Sequence, residues 1–309
     1  MRWFFLFTLI LILGCTSFSI KELENERNPY LLFPYTGVIG EQGSGTGQYL
    51  NPEDVGVDTK GNIYILDKGT NRILVFNDSL FSHQFGGFGT GTGRLNDPSS
   101  FVVSPNYLYV YDAGAEKISK YNLNGDFVGS IFENNNMDRC AMALDDFGNI
   151  YICSSEENKI VKISNAGEEI VSFGSFGWGE GFLDNPQGIT VSSNGDIYVS
   201  DTDNSRVEIF NSQGQFKREI GKGVLKRPID LDIDSWDNLF ICDIEVKKIF
   251  IFDREGKLKN EIKAMVEEPV NIAISENGKL YIADRKARRV FSFRILYGSG
   301  DKTSSKDED

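Results

Sequence analysis

Hydrophobic and polar positions alternate in short runs over most of the chain, from about residue 52 to residue 297. Pro52-Glu53-Asp54-Val55-Gly56-Val57, with its apolar Val55 and Val57, is one such run, and turn-forming stretches such as Asp58-Thr59-Lys60-Gly61-Asn62 separate neighbouring runs. Alternation with period two over about six residues is typical of half-buried β-strands. The pattern therefore predicts a succession of short strands and an all-β fold.

One group of positions recurs six times, at spacings of 41 to 47 residues. An aliphatic–aromatic pair marks each copy: Ile63-Tyr64, Leu108-Tyr109, Ile150-Tyr151, Ile197-Tyr198, Leu239-Phe240 and Leu280-Tyr281. Four residues after the first member of each pair stands a polar residue: Asp67, Asp112, Ser154, Asp201, Asp243 and Asp284. Five residues later comes a basic one: Arg72, Lys117, Lys159, Arg206, Lys248 and Arg289. The chain is therefore a tandem repeat.

Each of the first five repeats contains four strand-like runs, which is typical of a blade of a β-propeller. The sixth repeat ends at Leu296-Tyr297 after its third strand, whereas residues 35–40 have a fourth-strand pattern and no blade of their own. If residues 35–40 complete the last blade, the ring closes and no sheet edge is left open. We therefore predict a six-bladed β-propeller of four-stranded blades over residues 31–297, closed by an N-terminal strand.

The repeated positions resemble those of the NHL repeat family. The fourth copy is most similar, with Asn185-Pro186-Gln187-Gly188-Ile189, then Gly195-Asp196-Ile197-Tyr198-Val199-Ser200-Asp201, then Arg206-Val207. Blade three departs most, because Arg139 stands where the other copies have proline and Ser154 where they have Asp. The resemblance covers residues 35–297 and implies the propeller fold, but it says little about activity.

Some relatives of this family are enzymes, namely a peptide α-amidating lyase with His-ligated zinc and, more distantly, streptogramin lyases with a catalytic His. This chain has a single histidine, His83, which we expect on an outer strand far from the channel. Neither lyase mechanism can therefore be expected here. Other relatives are ubiquitin ligases, but this chain lacks the cysteine and histidine residues of the RING domain that such ligases need. The formal charge of −13 argues against nucleic acid as a partner, because phosphate binding needs cationic side chains.

The N-terminus is typical of an exported protein. Arg2, an apolar run from Trp3 to Leu13 and then Gly14-Cys15 form a secretory signal over residues 1–14, too short to span a bilayer. The ending resembles a bacterial lipobox, which implies lipidation of Cys15, anchoring to the bilayer and location at the cell envelope, on the outer membrane or the periplasmic face of the inner membrane. The alternative is an ordinary signal peptide with an incidental cysteine. Residues 15–30 are expected to form a tether, and residues 298–309 a disordered polar tail.

Three glycine-rich stretches, residues 40–47, 86–93 and 174–181, are predicted to connect the outer strand of one blade to the inner strand of the next. They lack the Gly-Lys-Ser/Thr ending of a phosphate-binding loop. The face that they form carries unrepeated side chains of the kinds that anchor protein interfaces: Trp178, Phe88, Arg94, Tyr49 and Phe182. We expect a partner-binding surface there; the alternative is that Phe182 and its counterparts tuck under their loops.

Acidic side chains fall on first strands, which line the channel of a propeller. Asp54, Asp230 and Asp232, with Asn271, could hold Ca²⁺ through oxygen ligands, or they could form a solvated acidic mouth. Such a channel leaves open the alternative function of a Ca²⁺-dependent hydrolase or lactonase, or a lyase-like enzyme. Otherwise the sequence indicates no cofactor and no catalytic residue.

Two further sets of residues receive structural interpretations. The repeated Asp is expected to cap the turn that follows it and to pair with the basic residue of its repeat. Cys140 and Cys153 fall on adjacent strands, where they could form a disulfide. The alternative is that they are small packing residues, as we expect for Cys242.

Taken together, the sequence predicts an exported, lipid-anchored, monomeric and non-enzymatic platform that binds an envelope protein or peptide.

Overall fold

The computed structural model describes residues 30–133, 140–263 and 265–297, in two compact units. The described part of one unit is a two-stranded antiparallel sheet of Tyr30–Leu32 and Leu296–Tyr297. The expected signal peptide over residues 1–14, the lipidated Cys15, the tether up to residue 29 and the tail over residues 298–309 lie outside the described residues. None of the described helices is long and apolar enough to cross a membrane.

The second unit, Phe33–Ile295, consists of six antiparallel four-stranded sheets, so the predicted six-bladed propeller is confirmed. The blades are numbered in chain order, and the strands of each blade are numbered from the channel outward. Blades 1 to 3 comprise Pro52–Val57, Asn62–Asp67, Arg72–Asn77 and Leu80–Gly86; Pro98–Val103, Tyr107–Asp112, Lys117–Asn122 and Phe127–Glu133; and Cys140–Leu144, Ile150–Ser154, Lys159–Ile163 and Glu169–Phe173. Blades 4 and 5 comprise Pro186–Val191, Ile197–Asp201, Arg206–Phe210 and Phe216–Ile220; and Pro228–Ile233, Leu239–Asp243, Lys248–Phe252 and Leu258–Ile262.

Blade 6 closes the ring in the predicted way. Its first three strands are Pro269–Ile274, Lys279–Asp284 and Arg289–Arg294, and its fourth is Tyr35–Ile39. This N-terminal strand pairs antiparallel with the third strand, with Val38 opposite Phe291 and Ile39 opposite Val290. Strands far apart in sequence thus complete one sheet, which leaves blade 6 with four strands like the others.

The strand order divides the turns between two faces of the propeller. One face carries the turns between second and third strands and the connections from one blade to the next, and every first strand begins there. We call this face the connector face. Its irregular elements are a short parallel pair, Glu41–Gln42 with Gln48–Tyr49, and the 3₁₀ turn Ala113–Ala115. The opposite face carries the turns between first and second strands and between third and fourth strands; we call it the hairpin face.

The core lies between adjacent blades. Blades 1 and 2 share a cluster that includes Tyr64, Phe101 and Leu108, all buried. Blades 3 and 4 share an equivalent cluster that includes Tyr151 and Ile189. Blades 2, 3 and 4 each contribute side chains to two such clusters, one with each neighbouring blade, which explains the aliphatic–aromatic pairs of the sequence. Burial of this apolar surface on both sides of each sheet is the main stabilising contribution.

The repeated Asp has the structural role that the sequence suggests. The Asp67 carboxylate accepts hydrogen bonds from the Asn51 backbone N–H at 2.8 Å and from the Gly69 N–H at 3.1 Å. It therefore holds both the turn that follows it and the connector that enters its blade. Pairing with the basic residue is close in blade 4, where the Arg206 Nε lies 2.7 Å from the Asp201 carboxylate. The repeated Asp therefore stabilises the fold.

Candidate functional site

The largest exposed aromatic group on the connector face lies in the connector between blades 3 and 4. We call residues 174–183 the Trp178 loop. Trp178 is 72% exposed, and Phe176, also exposed, packs edge-on against it with ring centroids 5.5 Å apart. Leu183 is buried beneath them, and its backbone N–H and C=O bond to Ser175 and Gly177 at 2.9 and 3.0 Å. The loop thus presents two aromatic rings on a closed backbone.

Arg206, at the start of the third strand of blade 4, supports the Trp178 loop from below. Its Nη2 donates to the Gly179 carbonyl at 2.8 Å and to the Phe182 carbonyl at 3.0 Å. Glu208 is buried beside it, 2.9 Å from the Arg206 Nη2, and accepts a hydrogen bond from the Gly181 N–H at 3.0 Å. Burial raises the pKa of Glu208 to about 7, against the opposing effect of Arg206. A buried ion pair therefore fixes the loop backbone in one arrangement.

The connector between blades 1 and 2, residues 86–95, repeats this design with fewer aromatic groups. We call it the Phe88 loop. Phe88 is 74% exposed, and Leu95 is buried beneath it like Leu183 in the Trp178 loop. Arg94 is exposed and donates through Nη1 to the Gly86 carbonyl at 2.9 Å. Phe88 and Arg94 therefore lie on the connector face, as expected from the sequence.

The sequence-based placement of Tyr49 on the exposed surface is wrong. Tyr49 is 0% exposed; its hydroxyl donates to the Ile39 carbonyl at 2.6 Å and accepts from the Val290 N–H at 3.1 Å. These two residues belong to the fourth and third strands of blade 6, so Tyr49 links the closing strand to its neighbour. Burial raises the pKa of Tyr49 to about 12. Tyr49 stabilises the ring closure and is unavailable to a partner.

The structure also refines the prediction for Phe182 and adds Phe176 to the exposed aromatic residues of the connector face. Phe182 remains almost half exposed, whereas its chain neighbour Leu183 is fully buried and fills the space under the loop. The sequence did not single out Phe176, although Gly174-Ser175-Phe176-Gly177 has the same spacing as Gly86-Gly87-Phe88-Gly89. Alignment of the two loops would have identified it, since both phenylalanines form the same parallel bridge with the buried leucine.

The first strands enclose a central cavity of about 750 Å³, which lies within the range of small-molecule sites. Asp54 and Asp230 line it and are buried. The Asp54 Oδ2 accepts from the Phe101 N–H of blade 2 at 2.8 Å, and the Asp230 Oδ2 accepts from the Ile272 N–H of blade 6 at 2.8 Å. The acidic side chains therefore link neighbouring blades around the axis.

Asp232 and Asn271 extend the same arrangement. The Asp232 Oδ2 accepts from the Ile274 N–H at 2.7 Å, and the Asn271 Oδ1 accepts from the Val55 N–H at 2.9 Å. Burial raises the pKa of Asp54 to about 8 and that of Asp232 to about 6, and it raises the pKa of Asp230 as well. The backbone hydrogen bonds oppose these shifts but do not cancel them.

The calcium site considered from the sequence is not formed by these aspartates. Each of Asp54, Asp230 and Asp232 holds the backbone of a different position in a neighbouring blade. Over the described ranges, no three His, Cys, Asp or Glu side chains come together in a way that could hold a metal ion. The donor set therefore does not fit a metal bound by all three carboxylates.

The last candidate groups are the single histidine of the chain and the three cysteines of the propeller. His83 is on the fourth strand of blade 1, as expected, and its Nδ1 lies 3.1 Å from the Ser82 hydroxyl. Cys140, Cys153 and Cys242 are buried and in the thiol form, so the disulfide between Cys140 and Cys153 is not formed. In the strand register Cys140 is opposite Ser154, and Cys153 is opposite Ala141. The cysteines therefore occupy small packing positions.

Two family models match the chain. A model described as NHL repeat matches residues 183–210, which is the copy singled out in the sequence, and one described as 6-bladed beta-propeller matches residues 34–79 and 59–171. Protein brain tumor of Drosophila melanogaster is 44% identical over 50 residues, 16% of this chain and 5% of that protein. The chain thus aligns with only a small part of this curated relative, and the match lends support to the repeat alone.

Solved structures of other propellers are similar over almost the whole unit. Selenomethionine-substituted virginiamycin B lyase from Staphylococcus aureus superimposes with a TM-score of 0.64 at 14% identity, covering 86% of this chain and 100% of that one. XC5397 from Xanthomonas campestris, described as a gluconolactonase, gives a TM-score of 0.62 at 12% identity, covering 80% and 87%. At such low identity these similarities establish the fold alone.

Proposed function

We propose that this chain, a six-bladed β-propeller with an NHL repeat in its fourth blade, is a non-enzymatic platform that binds a protein or peptide on its connector face. The fold supports a binding platform, and the Trp178 loop is the part of its surface best suited to the task. We further propose that the chain is exported and anchored to the cell envelope through a lipid on Cys15, with the propeller held at the membrane surface.

The observation that carries this proposal is an exposed aromatic pair on a rigid support. Trp178 and Phe176 pack against each other, and Arg206 and Glu208 fix the backbone beneath them. Exposed tryptophan is costly to leave in water and is enriched at the energetic centres of protein interfaces. Because the loop is already ordered, little conformational entropy is lost when a partner binds.

The second candidate is an enzyme in the central cavity, a hydrolase, lactonase or lyase-like protein. Its supporting observation is the pair of buried carboxyl groups with raised pKa values, Asp54 and Asp232, since perturbed acids in a cavity are candidates for proton transfer. Each of these groups, however, already accepts a backbone hydrogen bond that joins two blades. A structural role accounts for both, and we therefore favour the binding platform.

The proposal is tested with Trp178→Ala and a matched control, Phe147→Ala. Phe147 is 86% exposed on a turn of the hairpin face, so both substitutions remove one exposed aromatic ring. We expect Trp178→Ala to weaken capture of a partner from native envelope extracts at least about tenfold, as for interface anchors. Both variants should keep their stability within about 0.5 kcal/mol, measured by urea unfolding.

Two results would count against this function. If Trp178→Ala and Phe147→Ala capture the same proteins in the same amounts as the unaltered chain, the Trp178 loop is not the binding site. If the unaltered chain captures nothing above the level of Trp178→Ala, no platform function of this loop exists in the envelope.

A further inference from the structure

We propose that the connector face binds an acidic segment of its partner protein, through cationic side chains of blades 5 and 6 that lie next to the Trp178 loop. This inference rests on the proposed function, because it states which kind of partner the connector face takes. Three observations support it. The charges of this face are unevenly distributed, several of its cations have no acidic partner, and hydrogen bonds join this part of the face to the Trp178 loop.

The charges of the connector face are divided between its two sides. The turns and connectors of blades 5 and 6, residues 224–227, 244–247, 265–268 and 285–289, form what we call the basic sector. Its exposed charged side chains are two acids, Glu245 and Glu267, and six bases, Lys226, Arg227, Lys247, Lys286, Arg288 and Arg289. The whole chain has a formal charge of −13, so this local excess of positive charge runs against its composition. A surface of this kind attracts anionic groups.

The same turns on the other side of the propeller are acidic. In blades 2 and 3 the turns between second and third strands, residues 113–116 and 155–158, contain Glu116, Glu156 and Glu157 and no basic residue. The connector face therefore has one positive side and one negative side, which gives a bound chain a preferred place and direction.

Three cations of the basic sector are free to pair with another molecule. Lys226, Lys247 and Arg288 are exposed, and none of them forms an ion pair among the residues that the structure describes. Arg227 and Lys286 differ, since they lie 3.7 and 3.4 Å from acidic residues of this chain. Complementary charge across an interface speeds association and helps to select the partner.

Hydrogen bonds join the basic sector to the Trp178 loop through the turn of blade 4. The Asn204 Nδ2 donates to the Gly177 carbonyl of the loop at 2.9 Å, and the Ser205 hydroxyl donates to the Lys226 carbonyl at 2.6 Å. The exposed aromatic pair and the first cations are thus parts of one continuous surface. A partner segment with an apolar residue at Trp178 can place acidic residues on the basic sector.

The surface favours a protein segment over a nucleic acid or a membrane. A long polyanion covering the face would meet the glutamates of blades 2 and 3, and like charges repel. The closing strand begins on the hairpin face, where the Pro34 carbonyl accepts the Arg294 N–H at 3.0 Å. The chain that leads to the proposed lipid on Cys15 therefore joins the propeller on the face opposite the basic sector.

The experiment begins with selection of binding peptides from a random phage-display library on the full chain. We expect the selected peptides to combine an apolar residue with several Asp or Glu. The affinity of the strongest one is then measured by fluorescence anisotropy, with a version that has Asn and Gln in place of Asp and Glu as the uncharged control. Raising NaCl from about 0.05 M to about 0.3 M should weaken binding of the acidic peptide, because salt screens exposed charges.

The variant that tests the basic sector is Lys226→Glu/Arg288→Glu. It should weaken binding of the acidic peptide at least about tenfold, since attraction becomes repulsion at two positions. The matched control is Lys60→Glu/Lys257→Glu, which changes the net charge equally at two exposed lysines of the hairpin face and should leave the affinity unchanged. Both variants should keep the urea unfolding transition of the unaltered chain, because all four side chains are exposed.

The outcomes separate this inference from the proposed function. Selected peptides that need Trp178 but carry no excess of acidic residues, or that bind Lys226→Glu/Arg288→Glu as tightly as the unaltered chain, would overturn the acidic partner and leave the platform standing. Absence of any peptide that depends on Trp178 or on the basic sector would count against both. Tighter binding of single-stranded RNA or of phosphatidylglycerol vesicles, lost in the same variant, would assign the basic sector to a nucleic acid or a membrane instead.

Discussion

At the axis of the propeller, individual side chains make the hydrogen bonds that backbone ladders make elsewhere. First strands of neighbouring blades do not pair with each other, and Asp54, Asp230 and Asn271 accept N–H groups across the gaps. Two of these three acceptors are carboxyl groups in a place where a charge is poorly solvated. Burying these carboxyl groups to join the blades disfavours their charged form, and the pKa values of Asp54 and Asp230 are therefore raised.

The pKa of Asp54 predicts how stability depends on pH. The folded pKa of about 8 lies far above the model-peptide value of 3.8, so the native state holds a proton that the unfolded chain releases between these values. The contribution of Asp54 to stability is fully present below pH 3.8 and is lost as pH rises through about 8. We expect the free energy of unfolding in urea to fall between pH 5.5 and pH 8.5, and to fall less in Asp54→Asn.

The control is Asp78→Asn, which changes an exposed carboxylate on the hairpin face. It should leave the pH dependence of the unaltered chain in place. If Asp54→Asn and Asp78→Asn give the same profile, the Asp54 carboxyl group does not carry the predicted proton.

The roles of residues that recur from repeat to repeat can be predicted from the sequence, whereas the role of a residue that occurs once cannot. An Asp stands at the position of Asp67 in five of the six repeats, and this repetition indicates a shared structural role. Tyr49 has no such counterpart, and nothing local distinguishes it from Phe88 as an aromatic residue near a glycine-rich connector. Only the closed ring places its hydroxyl between Ile39 and Val290.

The closing strand, Tyr35–Ile39, is the element on which the ring depends. Its place could be predicted by counting, because five repeats have four strand-like runs and the sixth has three. Its register could not be predicted, since pairing with Arg289–Arg294 joins residues about 250 positions apart, with Ile39 opposite Val290. The small sheet of Tyr30–Leu32 and Leu296–Tyr297 was missed because its strands are too short to show alternation.

Tyr49→Phe tests the link between this strand and its neighbour. Loss of a buried hydroxyl that donates to one strand and accepts from the other should lower the free energy of unfolding by about 1–3 kcal/mol. The measurement is urea unfolding, and Tyr35→Phe is the control because Tyr35 is exposed on the same strand. Equal stability of the two variants would show that the Tyr49 hydroxyl contributes nothing to the closure.

On the scale of the whole propeller, the two faces differ in construction. The connector face carries the Trp178 and Phe88 loops, both supported by arginine contacts to their own carbonyl groups. The hairpin face consists of short turns, and the Asp58 and Asp145 carboxylates each hold one of them. The sequence could identify the connector face because the glycine-rich stretches interrupt the repeat. It could not show which aromatic rings stay exposed, since that depends on packing beneath each loop.

The central claim is that a partner protein binds the connector face. Its most direct test is photo-crosslinking in the native cell, with benzoylphenylalanine introduced separately at Phe176, Phe88 and Phe147. All three side chains are exposed, the first two on the connector face and the third on the hairpin face. The account predicts that positions 176 and 88 form adducts with the same protein and that position 147 forms none with it. An adduct from position 147 alone, or equal adducts from all three positions, would contradict it.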